Sequence, residues 1–127
     1  MNLRDPMTEL ILEVVTGDRH WHDLKKLGIS VVLNEDRIAI LGQPRLPVRV
    51  GLAQVAQGWL RHSTDERALR EWARVIHGGV NLVDLDFGDS AEAERLRDAL
   101  WRVAFGEIIT PEMDAAARRC LLSAPKN

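Results

Sequence analysis

Residues 29–41 read ISVVLNEDRIAIL, two runs rich in β-branched residues around the polar tripeptide Asn34-Glu35-Asp36. β-Branched side chains pack well on a pleated surface, and Asn and Asp suit tight loops. The stretch therefore predicts a β-hairpin with strands at 29–33 and 37–41. It decides the fold class, because most of the chain around it reads as helix or extended connection. Downstream, residues 42–50 carry Pro44 and Pro47, which lack the N–H a sheet ladder needs, so this segment is expected to be extended and at most an edge strand. Upstream, Asp5-Pro6 reads as an N-cap and first-position proline. They open a helix whose stripe of Leu10, Ile11, Val14 and Val15 ends at Gly17. Asp18 is expected to cap a second short helix, with Trp21, Leu24 and Leu27 inward and Gly28 as its left-handed stop.

From Gly51, itself a suitable N-cap, Leu52, Val55, Ala56, Trp59 and Leu60 recur at helical spacing. Ser63 and Glu66 have capping-box spacing ahead of a helix with Leu69, Trp72, Ala73 and Ile76 inward, closed by Gly78-Gly79. Val83, Leu85 and Phe87 alternate with Asp84 and Asp86, the period of a half-buried strand over 82–87. Asp89 or Ser90 then caps a helix bearing Ala93, Leu96, Leu100, Val103 and Ala104, widened by Trp101 and Phe105 and ended by Gly106. Thr110-Pro111 opens a last helix with Met113, Ala116, Ala117, Cys120 and Leu121 inward, and residues 123–127 form a tail.

These elements make one domain over residues 1–127: a helical pair (1–28), a hairpin and extended segment (29–50), and helices with a strand at 82–87 (51–122). The expected class is α+β, mostly helical, with about six helices packed with a short antiparallel hairpin and a candidate third strand. That order lacks the alternating βαβ pattern of a parallel sheet, and no GxGxxG or GxxxxGK[ST] loop is present to cradle a phosphate.

Composition narrows the function classes. The 127 residues are 46% hydrophobic and 28% charged, as in ordinary folded proteins. The longest apolar run, Ile38 to Leu41, is far short of the roughly 20 residues that cross a bilayer, so no membrane span is expected. The N-terminus shows no secretory-signal pattern, and a cytoplasmic location is the default expectation. Seventeen basic against nineteen acidic residues give a net charge of −2, so no positive field favours nucleic acid. A single cysteine, Cys120, makes neither an intrachain disulfide nor a cysteine-rich zinc cluster.

The most distinctive feature is acidic. Between Asp84 and Asp98 stand Asp84, Asp86, Asp89, Glu92, Glu94 and Asp98 against only Arg95 and Arg97. Such a stretch suits a basic partner or a cation, although acids also gather at helix starts because they complement the macrodipole. As a calcium loop, residues 84–95 fail where Gly88, Asp89 and Arg95 occupy the fifth, sixth and twelfth positions. The spacing of Asp84 and Asp86 puts both carboxylates on one side of a strand, as in metal-dependent phosphatases, but the surrounding parallel sheet and phosphate loop are not expected here. In His20-Trp21-His22-Asp23, a helix would hold the two imidazoles about 200° apart, so Trp21 is expected inward and both histidines outward. No catalytic residue, metal ligand or cofactor is expected. Cys120 reads as buried, and His62 and His77 read as histidines at helix C-termini, where a protonated ring complements the dipole. Trp59, Trp72 and Trp101 lie on three helical stripes and are expected to share one core.

The stretch DLDFGDSAEAERLRDALWRVAFGE (84–107), preceded by ALREWARVIHGG (68–79), resembles small bacterial immunity proteins of polymorphic toxin systems. The resemblance implies a cytoplasmic, non-enzymatic protein that neutralises a toxin, and it supplies no functional residue by itself. The residues agree with it in one respect: acids can occupy the basic cleft that a nuclease keeps for phosphates. The expectation is a protein-binding module with a basic protein partner, using Asp84, Asp86, Asp89, Glu92 and Glu94 as its contact surface. Two other readings stay open: a small metal-binding protein or enzyme centred on Asp84–Asp89, and a structural homo-oligomer packed through the last helix.

Overall fold

Pro6 begins α1 (Pro6–Thr16), as a residue with fixed φ and no N–H to satisfy should. The structure, a computed structural model, describes residues 6–33, 38–42, 47–78 and 82–123. Asp5, the hairpin loop, Pro44, Gly79 and the end of the tail lie outside the described residues. After α1 come a 3₁₀ helix (Trp21–Leu27), β1 (Ser30–Leu33), β2 (Ile38–Leu41), β3 (Val48–Gly51), α2 (Leu52–His62) and α3 (Glu66–Gly78). β4 (Val83–Asp86), α4 (Ala91–Ala104) and α5 (Pro111–Ser123) complete the order, so the fold is α+β and mostly helical.

Caps explain most boundaries. The Ser90 hydroxyl accepts from the Ala93 N–H at 3.1 Å at the start of α4, and Thr110 does the same for Met113 at 3.3 Å at the start of α5. At α2 the Gln54 side chain reaches back to accept from the Gly51 N–H at 2.9 Å. Two expected caps are corrected. Ser63 closes α2, donating its hydroxyl to the Leu60 carbonyl, while Asp65, directly before α3, accepts from the Ala68 N–H. Asp18 accepts from Thr16 and pairs with Arg61, which joins the end of α1 to α2. His20 caps the 3₁₀ helix instead, its Nδ1 accepting from the His22 N–H at 3.1 Å, and Gly28 ends that helix at φ 76°.

The hairpin forms as read, with Ser30 paired to Leu41 and Leu33 to Ile38 in antiparallel register. It is not joined by the third strand. β4 pairs with β3 instead, in parallel, Val48 beside Val83 and Gly51 beside Asp86. This corrects the expectation that no parallel pairing exists: α2 and α3 together form the crossover that two parallel strands require. Period-two alternation gives the pair an inner face of Val48, Val50 and Val83, all buried, and an outer face of Arg49, Asp84 and Asp86, all exposed.

The core lies among the helices. α2 packs on α1, α3 and α5, and α4 packs on α3 and α5. Trp59 and Trp72 are essentially inaccessible to solvent. Both of these indole N–H groups find an acceptor, unlike the buried N–H of Trp21: Trp59 donates to Asp114 at 2.7 Å, and Trp72 is shared between the carbonyls of Val14 (3.2 Å) and Val15 (3.1 Å). The Val14 carbonyl also accepts from the Gly17 N–H at 3.3 Å, so the bond from Trp72 matters most at Val15, in the last turn of α1, where burial would otherwise penalise the carbonyl. Gly58 lets the three elements meet. A Cβ there would stand 2.0 Å from the Val15 carbonyl oxygen and 2.5 Å from the Trp72 ring.

Candidate functional site

The acidic stretch begins on the outer face of the parallel pair. Strand alternation points Asp84 and Asp86 the same way, and register sets Arg49 beside them, its Nε 3.9 Å from Asp84 Oδ2 and 3.8 Å from Asp86 Oδ2. All three side chains are more than half exposed, so water and salt screen these pairs and each contributes little to stability. One guanidinium thus faces two carboxylates, leaving a local excess of negative charge. Gly88, in the left-handed region at φ 73°, then turns the chain toward α4, with Asp89 exposed on the turn.

The next residues face elsewhere. Leu85 projects opposite to Asp84 and Asp86 and, with Glu94, Arg97, Asp98, Leu100, Trp101 and His77, lines an open groove of about 330 Å³ between α3, β4 and α4. Glu92 is half-buried toward α5, where its backbone carbonyl accepts from the Cys120 thiol at 3.2 Å. The five expected contact residues are therefore distributed: Asp84 and Asp86 on the outer sheet face, Asp89 on the turn, Glu92 against α5, and Glu94 in the groove.

Trp101 is the main correction. It does not join the core of Trp59 and Trp72 but stands 50% exposed on α4, with Phe105 at 68%. The physical reason is angular. Ala93, Leu96, Leu100 and Val103 fill the buried stripe, and Trp101 follows Leu100 by about 100°, which leaves it at the margin of the α3 contact, half in the groove and half in water. The Trp101 and Phe105 rings lie 5.0 Å apart between centroids, and His77 meets Phe105 edge-on at 5.7 Å. Glu94, Asp98, Trp101 and Phe105 follow one another at steps of four, three and four, so carboxylates and aromatics share one face of the helix.

Arginines brace this face. Arg97 donates to Glu94 at 3.0 Å and to the Gly88 carbonyl at 3.1 Å, and its guanidinium lies 5.3 Å from the centroid of the Phe87 ring. Arg102 pairs with Asp98 at 2.8 Å and with Glu107 at 3.7 Å. Arg70 of α3 donates to the Val103 and Glu107 carbonyls, joining α3 to the end of α4. Sequence reading missed Trp101, Phe105, Arg49 and Arg97 as parts of a surface. The spacing of residues 94, 98, 101 and 105 was a signal available for the first two.

The other candidates are placed plainly. His20 and His22 are exposed, as expected. Their rings lie 4.9 Å apart because His20 precedes the helix and escapes the 200° separation, but the His20 Nδ1 is occupied by the His22 N–H. Trp21 is half-buried between them. Among the described residues, no three His, Cys, Asp or Glu side chains gather where they could hold a metal ion. His62 and His77 stand in the last turns of α2 and α3, as expected, but burial pushes both below the ordinary histidine value and disfavours the protonated ring, and neighbouring His20 adds to the effect at His62. Cys120 is buried as expected, and burial, with Glu92 adding to it, pushes its thiol up, so the unreactive protonated form is favoured. Leu121, expected inward, is 40% exposed instead. Among the described residues, no helix is long and apolar enough to cross a membrane. Compared with family models, with curated proteins and with solved structures, the chain matches none.

Proposed function

We propose that this protein is a non-enzymatic protein-binding module that engages a basic partner through the outer face of α4 and the acidic edge beside it. The observation that carries this reading is the exposure of Trp101 and Phe105 next to Glu94 and Asp98. Tryptophan is a common interface anchor, because it gives a large rigid contact area with little entropy to lose. Carboxylates around such an anchor select positively charged partners and speed encounter with them. Asp84 and Asp86 on the outer sheet face and Asp89 on the turn add negative charge at longer range. The role is that of an inhibitor or immunity factor acting in the cytoplasm on a basic protein such as a toxin, which is what the resemblance of residues 68–107 implies.

The test is purification of the tagged protein from its native cells at low and high salt, with the captured proteins identified by mass spectrometry. The expected result is a stoichiometric basic protein retained at low salt and lost at high salt. Recovery of the protein alone under both conditions would overturn the reading.

A second reading, a homo-oligomer, is favoured by one observation: Leu122 is 85% exposed beside Leu121 at the end of α5. Light scattering at high concentration tests it, and a strict monomer removes it.

A further inference from the structure

The groove on α4 carries an inference that rests on the protein-binding reading and makes it specific. We propose that the groove between α3, β4 and α4 is a pocket for an arginine side chain of the partner, with Trp101 as the aromatic surface and Asp98 as the carboxylate.

The molecule already holds one arginine by this chemistry. Arg97 lies over the Phe87 ring while donating to the Glu94 carboxylate and to the Gly88 carbonyl. A guanidinium suits such a setting because its flat, weakly hydrated face lies against an aromatic ring while its edge still donates hydrogen bonds. One turn further along α4 the same pair of groups recurs without an arginine over the ring among the described residues: Trp101 half exposed, Asp98 beside it in the groove, and Leu85 as an apolar lining for an aliphatic stem.

Asp98 is at present paired with Arg102, which also reaches Glu107. That pair is exposed on both sides, so its exchange for an incoming guanidinium costs little. Arg102 is thus a competitor for the site. Removing it frees Asp98 and is expected to strengthen binding of a guanidinium.

The probe is N-acetyl-arginine amide, followed through the indole N–H signals of the four tryptophans in a ¹⁵N-labelled sample, with N-acetyl-norleucine amide as the uncharged control. The expected result is a saturable shift of the Trp101 signal at millimolar arginine amide, with Trp59 and Trp72 unmoved and norleucine amide weaker. Asp98→Asn is expected to lower the affinity about threefold, and Arg102→Gln to raise it about twofold, in keeping with exposed ion pairs. Equal shifts from both probes, no Trp101 shift, or an Arg102→Gln variant that binds no better would each overturn the pocket. Failure here is distinct from failure of the broader reading: a salt-sensitive basic partner captured equally well by Asp98→Asn keeps the binding module and removes the arginine pocket.

Discussion

Trp59 and Trp101 sit on helices of similar length, each within an apolar pattern, yet one is sealed in the core and the other stands half in water. The difference lies in what surrounds each helix. α2 is enclosed by α1, α3 and α5, so a wide arc of its surface is covered and Trp59 finds Asp114 waiting for its N–H. α4 is covered chiefly by α3 and α5, and its small inner residues Ala93 and Ala99 bring those neighbours close while Trp101 falls at the edge of the covered arc. The same residue type thus serves stability in one place and presents an unclaimed surface in the other.

Substitution sharpens this contrast most. Trp59→Ala or Trp72→Ala is expected to cost about 3–5 kcal/mol through lost packing and an unfilled cavity. Trp101→Ala is expected to stay within about 1 kcal/mol, since an exposed ring loses little when it is removed. Urea denaturation of the three variants measures both, and equal losses at Trp59 and Trp101 would contradict the division. Next in size is Gly58→Ala, where the added methyl must displace either the Val15 carbonyl or the Trp72 ring. The expected cost is about 2–3 kcal/mol by the same measurement.

A smaller effect, common to the two regions, is read by pH. His62 and His77 are held below the ordinary histidine value by burial, so around and below about pH 6.5 the unfolded chain binds protons that the folded chain refuses. Their contribution is therefore destabilising in acid: stability is full above that range and falls as pH drops through it. The melting temperature of the wild type is expected to decline more between pH 7 and pH 5 than that of His62→Gln/His77→Gln. Identical declines would remove the two histidines as the cause. Smallest is Arg49→Gln, which releases Asp84 and Asp86 from a screened pair. It is expected to change stability by less than about 0.5 kcal/mol while making the outer sheet face more attractive to a basic partner.

Much of the fold was legible because its signals are local. The ISVVLNEDRIAIL hairpin, the stripes of α1 to α5, and the starts at Pro6, Gly51, Ser90 and Pro111 each depend on residues a few positions apart. The β3–β4 pairing was not legible, because two helices separate the strands and no local pattern states which strand β4 will choose. The acidic stretch was legible as charge but not as geometry. Alternation along β4 and the turn at Gly88 send its members to different faces, and Arg49 arrives from a distant strand. Trp101 was misplaced because a stripe of apolar residues records which side is hydrophobic, not how far its neighbours extend around it.

On the function proposed above, the outer face of α4 binds a partner rather than supporting the fold. Its most direct test is Trp101→Ala measured twice, once for melting temperature and once for affinity toward the basic protein captured by the wild type. The expected result is an almost unchanged melting temperature with an affinity reduced at least about tenfold, the loss typical of an interface anchor. Undiminished affinity, or a loss of binding that merely follows a loss of folding, would contradict it.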